Sequence, residues 1–208
     1  MSSMARPTVP AMTTFSDRVR AAADGEGRLP LPQQAMWEIF PFEPEALVVK
    51  PLQADVVPEP PRGGEGDSPC WRCSEPEADV IWGDQQWVLA GMGELRLPFA
   101  AMLMPRAHLD LGDLDEDMSA DLGRLIVLID RAVRRVPDVA RCHVNKWGDG
   151  GAHLHVAFLA RPTGMLQLRG SNLTLWEDML PPIPPESAAA AMRQVADELA
   201  RVRGEVYL

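Results

Sequence analysis

Cys70 and Cys73 stand in Cys70-Trp71-Arg72-Cys73, the spacing at which two thiolates chelate one zinc ion. A disulfide framework is not expected, because the only other cysteine, Cys142, is isolated. Thiol redox chemistry fits less well, since no strand-then-helix pattern surrounds the pair. A closed tetrahedral site needs two more donors, and the chain has four histidines: His108, His143, His153 and His155. They lie too far from the cysteines to form a zinc finger, so spacing alone leaves the choice among them open. His153 and His155 alternate in an apolar stretch that reads as a strand. Their side chains then share a face about 6.6 Å apart, so one ring can hold metal while the other acts on substrate. Two other readings compete. One is a polar strand face. The other is the His-x-His pair of metal-binding double-stranded β-helix folds, but these add a carboxylate that Val156-Ala157-Phe158-Leu159-Ala160 does not supply.

Positioning these groups requires a sheet and a helix behind it. Short strands are expected at Asp79–Trp82 and Gln86–Ala90 around Gly83-Asp84, with further strand across Gly93–Met104. Leu122, Leu125, Ile126, Ile129, Ala132, Val133 and Val136 recur at three and four residues, the stripe of an amphipathic helix that Pro137 stops. Arg141–Trp147 and Ala152–Ala160 alternate as two strands joined by Gly148-Asp149-Gly150-Gly151. Residues 161–185 read as irregular, and Glu186–Arg203 as a final helix. The expected organisation is a loose arm at 1–28, carrying a short helix near Phe15–Asp24. A proline-rich extended segment at 29–67 follows, with an edge strand at Val48-Val49, and then one α+β domain at 68–208. Gly63-Gly64-Glu65-Gly66 lacks the lysine of a phosphate-binding loop and is discounted as one. Cys142 reads as a small core residue, and Trp71, Trp87, Trp147 and Trp176 as structural.

The 208 residues carry 30 acidic and 20 basic groups, a net charge of −10 that argues against nucleic acid as partner. No apolar run is long enough to span a membrane and no signal-peptide core opens the chain, so a cytoplasmic location is expected.

The motifs occur in a familiar order. The cysteine pair comes first, then a strand pair, then Met104-Pro105-Arg106-Ala107-His108 and a long helix. Val144-Asn145-Lys146-Trp147-Gly148-Asp149-Gly150-Gly151 and His153-Leu154-His155-Val156-Ala157-Phe158-Leu159-Ala160-Arg161-Pro162 follow. Across residues 68–162 the chain resembles the histidine-triad superfamily, in its zinc-bearing branch related to the hexose-phosphate uridylyltransferases. Leu166–Pro185 looks like an actinobacterial type. The resemblance implies a histidine-triad-like antiparallel sheet with a long packing helix and a C-terminal helix. It implies zinc held by Cys70, Cys73, His108 and His153, with His155 as nucleophile toward the α-phosphorus of a nucleotide or nucleotide sugar. Asn145 matches a position contacting ribose or phosphate. A homodimer is compatible with it.

The sequence departs from that pattern in two places. Ala157 stands where the family carries a third histidine or a glutamine, and only Ala152 separates the glycines from His153. Each missing charge-assisted hydrogen bond to a phosphate costs about 1.5–3 kcal/mol. His143, Lys146, Arg161, Gln167, Arg169 and Ser171 are the candidate replacements in substrate binding. Two functions follow: a zinc-containing nucleotide hydrolase or nucleotidyltransferase, or a catalytically silent nucleotide-binding or scaffold protein with structural zinc.

Overall fold

A computed structural model describes residues 14–208. These fall into two compact units, divided between Glu59 and Pro60. In the first, Thr14 caps helix α1 (Phe15–Ala21): its hydroxyl accepts from the Asp17 N–H while the Asp17 carboxylate accepts from the Thr14 N–H. Arg20 joins Asp55 and the Gln53 carbonyl, tying the helix to the end of the unit. The expected edge strand at Val48-Val49 does not form; Val48 is largely exposed, and nothing pairs it into a ladder.

The second unit holds a six-stranded, wholly antiparallel sheet in the order β4-β5-β3-β2-β1-β6. The strands are β1 (Val80–Gly83), β2 (Trp87–Gly91), β3 (Ala100–Pro105), β4 (Val139–Asn145), β5 (Val156–Pro162) and β6 (Glu205–Val206). This is the α+β class expected. The third strand begins later than expected, because Leu95, Leu97 and Phe99 leave the ladder to plug the core. β5 is buried along nearly its whole length, as the apolar run over residues 156–160 requires, and buries Arg161 as well.

Three helices belong to the body of this unit. Helix α3 (Glu116–Val133) starts where the Asp115 carboxylate accepts from the Met118 N–H at 2.8 Å, and it buries Leu122, Leu125, Ile129, Ala132 and Val133. Helix α5 (Pro185–Ala200) buries Ala191, Met192, Val195, Ala196 and Leu199, and packs on α3, β1 and β6. Between β5 and α5, where irregular chain was expected, Asn172–Glu177 forms a short helix, α4, held by buried Asn172 and Leu173. The one-turn helix α2 (Trp71–Ser74) precedes β1. The core gathers Trp82, Trp87, Leu89, Phe99, Leu103 and Phe158, all essentially inaccessible to water. Beyond α5 the chain turns through Gly204 (φ +74°), where a Cβ would lie 2.6 Å from the Gly83 carbonyl, and then adds β6 beside β1. A smaller cluster, Val80, Val88, Ala90 and Met104, forms separately. No helix among the described residues is long and apolar enough to cross a membrane.

Candidate metal centre and histidine site

The one-turn helix α2 sets the cysteine geometry. Residues three apart on a helix are neighbours on one side, so Cys70 at its N-cap and Cys73 within it present their sulfurs together. Buried Arg72 anchors the turn by donating to the carbonyls of Pro76 and Ala78. His108 follows the end of β3. His153 precedes β5, 3% exposed.

The four side chains Cys70, Cys73, His108 and His153 converge, with all ligand atoms within 4.8 Å of one another. His153 Nδ1 lies 3.5 Å from Cys70 Sγ and 3.6 Å from Cys73 Sγ, and His108 Nδ1 lies 3.4 Å from Cys73 Sγ. With Zn–S of about 2.3 Å and Zn–N of about 2.0–2.1 Å, a tetrahedral zinc separates neighbouring S and N donors by about 3.5–3.6 Å. The three S–N separations match edges of that tetrahedron, so these residues fit the ion. The His108 and His153 rings meet edge to face, 5.2 Å between centroids.

Protonation supports the same reading. His153 Nε2–H donates to the Pro105 carbonyl at 2.8 Å, which leaves the Nδ1 lone pair directed at the sulfurs. Burial holds this imidazole neutral to lower pH than usual, outweighing the Pro105 contact. Burial and then the adjacent Cys70 sulfur push the Cys73 thiol up. A cation between the donors would offset the raised Cys73 thiol, while the neutral His153 imidazole is already the form that ligation takes.

His155 stands outside this set. Its Nδ1–H donates to the carbonyl of His153 at 2.9 Å, so Nε2 carries the free lone pair. His153 thus serves twice, by its ring toward the sulfurs and by its carbonyl toward the next histidine. Neither histidine lies in the ladder, contrary to the strand expected from Ala152. The N–H groups of Ala152 and Leu154 are spent on Gly63 and Leu109, at 2.9 and 2.7 Å, so pairing with β3 and β4 begins only at Val156 and Ala157.

The remaining candidates disperse. Asn145, the last residue of β4, is paired with Ala157, two residues beyond His155. Directly paired residues share a face, so Asn145, Ala157, Met102 and Ala90 form one row across the sheet. His143 lies one step further along β4 on that face, opposite Leu159. Its Nε2 is buried without a hydrogen-bond partner, and burial, then the charge of Arg161, lower its pKa. Arg161 is 8% exposed and donates to the carbonyls of Pro162 and Met165; it has no carboxylate partner among the described residues. Lys146 is taken up by Asp110 at 3.4 Å. Gln167, Arg169 and Ser171 are exposed and follow the opposite end of β5 from His155; Arg169 bonds the Leu166 carbonyl. Sequence reasoning missed the loop before the cysteines. Gly63 joins Gly151 in a parallel bridge, and a Cβ on Gly64 would strike the His108 ring. The available signal was a glycine cluster immediately upstream of a metal-binding pair.

No family model matches the chain, and no curated protein does. Among solved structures it is similar to a zinc-bound histidine triad family protein from Mycobacterium smegmatis, at 17% identity and TM-score 0.47 over 64% of this chain and 94% of that one. It is also similar to a histidine triad protein from Bradyrhizobium japonicum, at 21% identity and TM-score 0.46 over 62% of this chain and 92% of that one. A histidine triad protein from Sinorhizobium meliloti gives 18% identity and TM-score 0.49 over 60% of this chain and 91% of that one.

Proposed function

We propose that this chain is a zinc-containing nucleotide hydrolase or nucleotidyltransferase that works through His155. One observation carries the reading: the His153 carbonyl occupies Nδ1–H of His155, which leaves the Nε2 lone pair to act as the nucleophile. Nε2 attacks the α-phosphorus of a nucleotide, a P–N bond forms, and the bond to the leaving oxygen or nitrogen breaks. The leaving group departs with its electron pair and takes up a proton from solvent, matched in hydrolysis by the proton that the attacking water releases. Water or a phosphate oxygen then attacks the same phosphorus, the P–N bond breaks, and the neutral imidazole returns. Asn145, half-buried at the end of β4, is assigned in this reading to orient the ribose or phosphate. When bound, zinc supplies a rigid crosslink between α2, the end of β3 and the segment entering β5.

A catalytically silent nucleotide-binding protein is the second reading, and Ala157 favours it. That position offers no donor to a phosphate, and Lys146 is already neutralised by Asp110. Incubation with a panel of adenylated and uridylated phosphoanhydrides and phosphoramidates, followed by intact mass analysis, separates the two. The enzyme reading expects a nucleotidyl adduct that is absent from His155→Ala. Nucleotide binding by calorimetry with neither adduct nor turnover establishes the silent reading instead.

A further inference from the structure

The loop Arg62–Gly66 precedes the cysteine pair and contributes no ligand, yet it touches every segment that does. Arg62 donates to the Asp110 carboxylate at 2.9 Å, two residues beyond His108, and to the Gly148 carbonyl at 2.8 Å, in the turn leading to His153. Its Nε donates to Glu65 at 2.8 Å, which closes the loop on itself. Gly63 donates to the Gly150 carbonyl at 3.1 Å and accepts from the Ala152 N–H at 2.9 Å, immediately before His153. Gly64 donates to the Ser68 carbonyl at 3.1 Å. Its backbone has φ +91°, and a Cβ there would lie 2.6 Å from His108 Cε1 and 3.3 Å from Cys70 Cβ. His108 and Cys73 are otherwise exposed, so Gly64 forms the wall against which the His108 ring rests.

We infer that Arg62–Gly66 is a strap built into the metal centre, in which Arg62 and Gly64 are positioning residues that hold His108 and His153 at ligating distance. The inference rests on the metal reading of the cysteine–histidine cluster. Carbon atoms settle about 3.5–4.0 Å apart, so a methyl group on Gly64 must drive the His108 ring away by about 1 Å. Ligand distances tolerate only about 0.2 Å, so that displacement removes His108 from the shell. Gly66 provides the internal control: its φ of +54° is also positive, but a Cβ there meets nothing within 4 Å.

The test measures zinc release from the purified, zinc-loaded full chain to a chromogenic chelator, with thermal melting in parallel. Outer-shell changes typically cost about 10–100-fold in metal affinity, so Gly64→Ala is expected to release zinc at least about tenfold faster than wild type. Gly66→Ala is expected to stay within about twofold of wild type, since it adds positive-φ strain without contact. Arg62→Gln removes the clamp while adding no bulk, and is expected to speed release severalfold; it carries the test should Gly64→Ala not fold. Release from Gly64→Ala, or failing that from Arg62→Gln, at the wild-type rate overturns the strap while leaving the metal reading intact. Equal acceleration by Gly66→Ala also overturns it, because general loop strain then suffices. A wild-type protein that takes up no zinc overturns the metal reading itself, and the strap with it.

Discussion

The adjacent histidines His153 and His155 should respond to alanine substitution in opposite ways. His153→Ala deletes a 3%-exposed ring that spans the Pro105 carbonyl and both sulfurs. Orphaning that buried carbonyl costs about 1–3 kcal/mol. Structural zinc contributes about 10–16 kcal/mol to small folded sites, so losing even a quarter of it adds about 2.5–4 kcal/mol. For a chain of this size each kcal/mol moves Tm by about 2–4 °C, so a combined loss of about 3.5–7 kcal/mol lowers Tm by at least about 7 °C. His155→Ala removes a half-buried ring with one hydrogen bond, about 0.5–1.5 kcal/mol, and no metal ligand. Elemental analysis after purification without added metal, with calorimetric melting, measures both effects. His155→Ala should retain stoichiometric zinc and lose any adduct formation, while His153→Ala loses zinc and stability together. Equal zinc loss from the two variants would refute this division of roles. So would a His153→Ala protein that keeps its zinc and melts within about 2 °C of wild type.

Cysteine alkylation should divide the three thiols. Burial pushes the Cys142 thiol up to about 12, so Cys142 should resist iodoacetamide at pH 8 in the native protein with or without zinc, whereas chelation should expose Cys70 and Cys73; mass mapping reads the pattern, and rapid native labelling of Cys142 counts against it. His143 should titrate below the ordinary 6.5 in zinc-loaded protein, as read from its ring proton shifts by NMR. The unfolded chain binds this proton first, so its contribution is present above about pH 6.5 and is lost as pH falls from there toward the folded pKa. His143→Gln should therefore flatten the acid side of the stability curve, and an unchanged slope there would show that His143 is not held neutral by burial.

Local pattern was enough to place α3, α5 and most of the sheet, because each has an apolar stripe of clear period and a chemical stop. Asp115 and Pro137 bracket the α3 region, short apolar runs around the Gly83-Asp84 turn mark β1 and β2, and alternation marks β4. Pattern failed where backbone groups are claimed by distant chain. Ala152–His155 alternates like a strand, but its N–H groups go to Gly63 and Leu109, so the ladder starts at Val156. Residues 93–99 alternate too, yet Leu95, Leu97 and Phe99 turn into the core. For the site, residue type and spacing determined the cysteine pair, since three residues span one helical turn. Spacing did not supply His108 and His153; the motif resemblance implied them, and the tertiary structure brings them to those sulfurs. The role of Gly64 was decided only by the tertiary structure, because a glycine's value here lies in what a side chain would strike, and that neighbour, His108, is 44 residues away in the chain.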